Sequence, residues 1–402
     1  MEAPSIVEEA VSSPGSVASD IKSRAAAVAA VAAKHAGDVD TGSRFPTEAF
    51  AAARAQRLLG IMVPRSLGGE GAGLGQVADV CYELARGCSS TGMIYAMHQV
   101  KVACLTRHFG SSRALAAILR RLCAEQLLLA SSTTEGKAGG NVRSSEAPVE
   151  HKDGRISLNR AATVISYGAS ADGVVTTARR APDAAPSDQV LVAFLKSDYT
   201  LTRLQGWNTL GMRGTCSDGY TLLATGTPDQ ILPEPYETIH AHTMVPTAHL
   251  LWGSVWTGIA ASAIERAQAF IRQAVRQSGG QTPPGATQFT KALATLRTLR
   301  GMLAAALRTY TEAMADPKAL SSLGFQSMIT MTKVEASELA VSVVLTALRV
   351  CGLTGYRCDS EFSVERQLRD VLSSPLMINN ERILTNLATP SLMTPIPASI
   401  QD

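Results

Sequence analysis

Between Ser131 and Asp172 the sequence leaves helical periodicity, and it does not return to it until about residue 235. That interruption restricts the chain to folds in which a β-module sits between helical parts. The stretch reads SSTTEGKAGGNVRSSEAPVEHKDGRISLNRAATVISYGASAD. Thr133-Thr134-Glu135-Gly136-Lys137-Ala138-Gly139-Gly140 is a hydroxyl-rich strand end running into a glycine-rich loop. Val164-Ile165-Ser166-Tyr167-Gly168 reads as a β-branched strand carrying one hydroxyl. Between them, Lys152-Asp153-Gly154-Arg155 is a hairpin signal, because Asp-Gly tolerates the positive φ of a tight turn. Strand ends of this kind offer backbone N–H groups and hydroxyls to a flat, polar cofactor.

The periodicity gives the order helical, β, helical. Helices are expected at 21–36 with Gly37 as the stop, at 47–59 with Thr47 as N-cap, and at 76–86, 90–109 and 111–123. Strands are expected at Leu127–Ser132, Arg155–Leu158, Val164–Ser166, Val174–Ala178, Val190–Leu195 and Tyr220–Leu223, in an antiparallel barrel or sandwich. Four further helices, 248–276, 287–316, 323–353 and 364–387, read as an antiparallel bundle. The expected class is α+β: a leader at 1–20 outside the fold, a helical domain at 21–126, a β-domain at 127–234 and a helical bundle at 235–402. The chain's 402 residues suffice for two or three cores.

A net charge of +3 gives no reason to expect nucleic acid or an acidic membrane surface as partner. No apolar run reaches the ~18 residues of a membrane span. The seven cysteines are scattered without a CxxC pair, which reads as reduced thiols in the cytoplasm. His240 and His242 form a His-x-His with no third ligand near, so no metal site is expected.

Several segments resemble the acyl-CoA dehydrogenase family, in family order from about Val63 to Leu384. Thr133–Gly140 is similar to its T-E-P-x-A-G-S-D loop and Val164–Gly168 to its W-I-T-N strand. Met62-Val63-Pro64 with Gly68-Gly69 resembles V-P-E-x-x-G-G, with Arg65 in place of Glu. Leu210-Gly211-Met212-Arg213 followed by Ser217 resembles L-G-M-R-x-x-x-S. Cys351-Gly352-Leu353-Thr354-Gly355-Tyr356 and Val364-Glu365-Arg366-Gln367-Leu368-Arg369-Asp370 resemble G-G-x-G-Y and V-E-R-x-x-R-D. Asn379-Asn380-Glu381-Arg382-Ile383-Leu384 is similar to the tail of the subgroup that includes flavin monooxygenases.

The resemblance implies a flavin, FAD in preference to FMN, between β-domain and bundle, and a homotetramer or homodimer whose neighbouring subunit completes the site. It puts Thr133 and Thr134 on the flavin pyrimidine edge and Ser166 near N5. Gly139 and Gly140 would let the backbone approach phosphate or substrate. Arg276 stands where the family has an arginine reaching FAD across subunits, and Gln288 where a glutamine follows. Arg349 replaces a common Gln, with Gly352 in the motif beside it, and Asn379 falls near a C-terminal flavin contact.

Desaturation next to a thioester carbonyl needs a base for the α-proton, and a buried glutamate suits it. The family places that glutamate at one of two positions, here Ser373–Met377 and Thr247–Leu250, and neither contains a carboxylate. His249 and His98 are the candidate catalytic residues in its stead. Three readings follow: a flavoprotein oxidoreductase on a CoA- or carrier-linked acyl thioester with non-standard chemistry; a flavin-dependent monooxygenase of the same fold, on an aromatic substrate and fed by a flavin reductase or electron-transfer partner; and a flavin-binding scaffold, against which the retained hydroxyls of Thr134 and Ser166 argue.

Overall fold

The computed structural model describes residues 14–135, 142–393, 396, 398 and 399. Gly139 and Gly140 lie outside the described residues, as do residues 1–13 of the expected leader. From Pro14, inside the expected leader, the chain is already helical.

Five helices come first: α1 (Pro14–Thr41), α2 (Thr47–Ala55), α3 (Leu74–Gly87), α4 (Ser89–His108) and α5 (Arg113–Glu125). Gly37 does not stop α1. Ala36 and Val39 are buried with Ala32, Ala49 and Cys88 in a small cluster, and that burial carries the helix on to Thr41. Thr47 is the first residue of α2 rather than its cap, and the helix ends at Ala55 because Arg57 takes a φ of 53°. Ser112 caps α5, its hydroxyl accepting from the Leu115 amide at 3.1 Å.

Seven strands follow: β1 (Leu129–Ser132), β2 (Glu150–Lys152), β3 (Arg155–Ala162), β4 (Gly173–Arg179), β5 (Gln189–Leu195), β6 (Tyr199–Gln205) and β7 (Gly219–Gly226). They form two sheets, ordered β1-β4-β5 and β2-β3-β7-β6. The sheets are antiparallel as expected, except that β1 and β4 run parallel. The Asp153-Gly154 hairpin is present, with φ of 49° and 72°. Val164–Ser166 is not a strand. The Ile165 amide donates to Asp218 O and the Tyr167 amide to Thr215 O, both at 2.8 Å, so this segment bonds a facing loop instead of a ladder. β2 is fully exposed and only three residues long, and β6 buries only its first residue, Tyr199, so neither carries a sustained apolar run.

The remaining helices are α6 (Tyr236–Ile239), α7 (Val245–Gln277), α8 (Ala286–Ala313), α9 (Pro317–Ser321), α10 (Leu323–Tyr356), α11 (Glu365–Val371) and α12 (Asn380–Met393). A π-turn over His240–Met244 joins α6 to α7. The single last helix expected at 364–387 is two, α11 and α12, separated by residues 372–379. α7 packs against α10, α3, α8 and α4 and so links the first helices to the last. One window of α10 averages 1.6 in hydropathy, enough by composition to cross a membrane, but here the helix lies against α7 and α8.

Candidate functional site

A cavity of about 730 Å³ opens where α4, the end of β1, the α6–α7 junction and the 372–382 segment meet. That volume suits a cofactor ring with a small substrate beside it. On α4, Met93, Met97, Val100 and Lys101 face it, a spacing that places all four on one side of the helix. On α7, Val245, Ala248, His249 and Trp252 do the same.

The opposite wall is hydroxylated by Ser131, Thr133, Thr134, Ser166, Thr215 and Ser217. Ser217 donates its hydroxyl to Ser166 Oγ at 2.8 Å, and Thr215 donates to Met212 O at 2.8 Å. The loop carrying Thr215 and Ser217 is clamped from behind: Asp370 on α11 accepts from the Met212 amide at 2.6 Å. A Cβ at Gly211 would collide with the Arg369 carbonyl, so only glycine allows this approach. Arg369 donates to Leu210 O and to Asp40, each at 3.0 Å, and ties the same loop to α1. Burial raises the Asp370 carboxyl to about 6, against the opposing pull of its bond to Met212.

The ionisable groups on the cavity wall other than Tyr236 are Lys101, His240, His249, Arg369 and Arg382; no Asp or Glu borders the cavity among the described residues. His249 is buried, and its Nδ1 has no hydrogen-bond partner among the described residues. Burial first, then the nearby Lys333 ammonium, drives its pKa down to about 3, so the ring is neutral. Trp252 Nε1 is likewise buried without a partner. Unsatisfied buried donors and acceptors are rare in folded proteins. Two of them on one cavity wall, facing a row of hydroxyls, fit a flat heteroaromatic group with polar edges.

Two family models match the chain: the acyl-CoA dehydrogenase N-terminal domain over residues 20–126, and the acyl-CoA dehydrogenase C-terminal domain over residues 247–385. The chain belongs to the acyl-CoA dehydrogenase family. It is 27% identical over 353 residues to the probable acyl-CoA dehydrogenase FadE25 of Mycobacterium tuberculosis, covering 84% of this chain and 85% of that one. It is 26% identical over 361 residues to the amino sugar nitrososynthase DnmZ of Streptomyces peucetius, covering 85% and 84%. The crystal structure of FMN-bound TdsC from Paenibacillus sp. A11-2 superposes with a TM-score of 0.81 at 18% identity, over 95% of this chain and all of that one. The chain is thus a flavin-dependent oxidoreductase in an acyl-CoA dehydrogenase fold.

Of the residues singled out from the sequence, the structure brings Thr133, Thr134, Ser166, His249 and Asn379 to the one cavity. Asn379 Oδ1 also accepts from the Arg382 amide at 3.1 Å and so caps α12. His98 is not a wall residue, and its catalytic assignment is withdrawn. It is fully buried; its Nδ1 accepts from the Leu129 amide at 3.0 Å and its Nε2 lies 2.9 Å from Leu59 O. It joins α4 to β1 and has no nitrogen left for chemistry. Arg276, Gln288, Arg349 and Gly352 do not reach the cavity of their own chain. All four are exposed at the end of the bundle where α7 stops, α8 starts and α10 breaks at Gly352 with φ 57° and ψ −141°. There, a Cβ at Gly285 would sit 3.5 Å from both Ile271 and the Val350 carbonyl, which measures how closely the helices meet. Glu135 is held by the fold: it accepts from the Glu146 and Ala147 amides at 2.6 and 3.1 Å and faces Arg160 at 3.4 Å. The sequence reading missed Lys101, Tyr236 and Trp252. Their only signal was spacing along a helix, which a buried core residue shares.

Proposed function

We propose that this member of the family is a flavin-dependent monooxygenase acting on a small aromatic or heterocyclic substrate. The carrying observation is the cavity wall without a carboxylate. The first base position contributes Ser373, Leu376 and Met377, and the second contributes Ala248 and His249. A histidine whose pKa is held near 3 is too weak a base for a thioester α-proton at neutral pH. Oxygen transfer does not require that base; reduced flavin with dioxygen supplies the oxidising chemistry when bound. In this reading the hydroxyls of Thr133, Thr134 and Ser166 orient the flavin. His249 Nδ1 and Trp252 Nε1 supply a hydrogen-bond acceptor and donor over the reacting region, and Met93, Met97, Val100 and Met244 keep water out. The relative named a nitrososynthase and the fold neighbour named a dibenzothiophene monooxygenase support it.

FAD is the proposed form of the flavin. Arg276, Gln288 and Arg349 project from the bundle end, where a second subunit's cofactor can meet them, so a homotetramer or homodimer and a separate flavin reductase complete the proposal. Seven free cysteines suit the cytoplasm. The test is purified protein, its released flavin identified by mass, turned over with reduced flavin and labelled dioxygen. Label in the product is the expected result. Flavin bleached anaerobically by an acyl-CoA, with no label incorporated, would instead establish the thioester oxidation that the FadE25 relative favours.

A further inference from the structure

Lys101 lies on the cavity wall and is only 2% exposed. Its hydrogen bond among the described residues goes to the Met244 sulfur, at 3.6 Å. The buried Tyr236 hydroxyl, on the same wall, donates to that sulfur as well, also at 3.6 Å. A thioether is a weak acceptor. Two strong donors, one of them cationic, therefore converge on an atom that satisfies neither. The surroundings do not cancel that charge: Arg160 adds a second positive group, and His240, held to about 4 by burial, is neutral. Glu135 does not answer that charge: Arg160 and two backbone amides already engage its carboxylate. Burial lowers the Lys101 ammonium only to about 8, so it is charged at neutral pH. A buried charge calls for a partner, and the described protein does not provide one.

We propose that Lys101 and Tyr236 bind a carboxylate of the substrate, so that the cavity selects a small aromatic or heterocyclic carboxylic acid over the corresponding neutral ring. A carboxylate offers two acceptor oxygens for the two donors, whereas a phenolate offers one. The anion displaces Met244 Sδ as the shared acceptor and gains a charge-assisted hydrogen bond from the ammonium. The apolar side chains of Val100 and Met97, on the same face of α4, hold the ring. The substrate class rests on the monooxygenase reading only for what happens after binding; the binding itself does not depend on it.

The test uses purified full-length protein, with flavin content read from its visible spectrum and binding from ligand-induced thermal shifts. The probes are matched pairs: benzoate and benzamide, indole-3-carboxylate and indole-3-carboxamide, cinnamate and cinnamamide, with 4-nitrophenolate as the single-oxygen anion. Wild-type protein should bind at least one acid with a Kd on the order of tenfold below that of its amide and below that of the phenolate. Lys101→Met should bring acid and amide to within about twofold of each other, the amide Kd staying put, and Tyr236→Phe should shrink the preference by roughly threefold. Equal affinities within every pair in the wild type, a panel with no bound member, tighter binding of the phenolate, or a preference that survives Lys101→Met each overturns the assignment. If Lys101→Met does not fold, the wild-type ratios and Tyr236→Phe still decide. A colourless protein that prefers the acids would defeat the flavin reading and leave this one standing; a yellow protein without preference would do the reverse.

Discussion

His98 and Lys101 stand three residues apart on α4, and both side chains are buried. A histidine reads as chemistry and a helical lysine as a solvated face, yet here the histidine is spent on backbone groups and the lysine borders the cavity. The place of the threonines and Ser166 on the cavity wall was legible because it follows from residue type at a fixed position in a motif. Lys101 was not, because its burial is set by what packs over it from α6 and the π-turn. Distinct consequences follow for the two histidines. Replacing His98 by leucine strands the Leu129 amide, whereas Gln99 Nε2 still donates to the Leu59 carbonyl, and a buried group left unsatisfied costs about 1–3 kcal/mol. His98→Leu should therefore lower the urea midpoint markedly. His249→Leu removes a ring whose Nδ1 has no partner among the described residues but which also bonds the Ile329 backbone. It should leave bound flavin nearly unchanged, with a modest fall in the midpoint, while slowing turnover on the order of ten- to a hundredfold. Equal activity in His249→Leu and wild type would remove His249 from the reaction.

At the scale of elements, the segment 372–379 decides the shape of the cavity. It lies between α11 and α12, and Ser373, Leu376, Met377, Ile378 and Asn379 all reach the wall. Periodicity ran one helix through it and passed over Pro375, which has no N–H to give a helix, and Ile378 takes a φ of 51°. A distant group adds to the break. Lys333 on α10 donates to Ser374 O at 3.2 Å, to Ile378 O at 2.7 Å and to Asn380 Oδ1 at 2.7 Å, taking up acceptors that a continuous helix would have satisfied itself. Its ammonium also lies 5.5 Å from the centre of the Trp256 ring. Lys333→Met should release these acceptors, with a loss of about 2–4 kcal/mol. Hydrogen exchange should speed up first across 372–379, with the α7 core still protected. Uniform loss of protection along the chain would show that Lys333 supports the bundle as a whole and not this segment. The Val164–Ser166 run failed in the same way, its strand-like composition overruled by bonds to a loop fifty residues later.

Across the whole molecule, buried histidines set the response to acid. His98 and His240 are held to about 4 and His249 to about 3, each chiefly by burial, against 6.5 for an unperturbed ring. Below pH 6.5 the unfolded chain takes up protons that the folded chain refuses, so stability is present above 6.5 and falls as pH drops towards 4. His108, also lowered by burial, adds to the effect. Asp370, raised from 3.8 to about 6, opposes it, because the folded chain holds that proton between those values; Asp79, whose carboxyl burial also raises, acts in the same direction. Four groups against two leave a net loss, and the urea midpoint at pH 5 should lie well below that at pH 7.5. An equal or higher midpoint at pH 5 would mean that these rings are solvated. The order of helices, strands and helices was readable from periodicity and turn chemistry, whereas the meeting of distant segments was not. The bond from the Met212 amide to Asp370 spans 158 residues. At the usual pace of synthesis that separation corresponds to roughly ten to thirty seconds. Throughout that interval a nascent chain carries both threonines and Ser166 but has no brace behind them, so loading with cofactor has to wait until translation has passed α11.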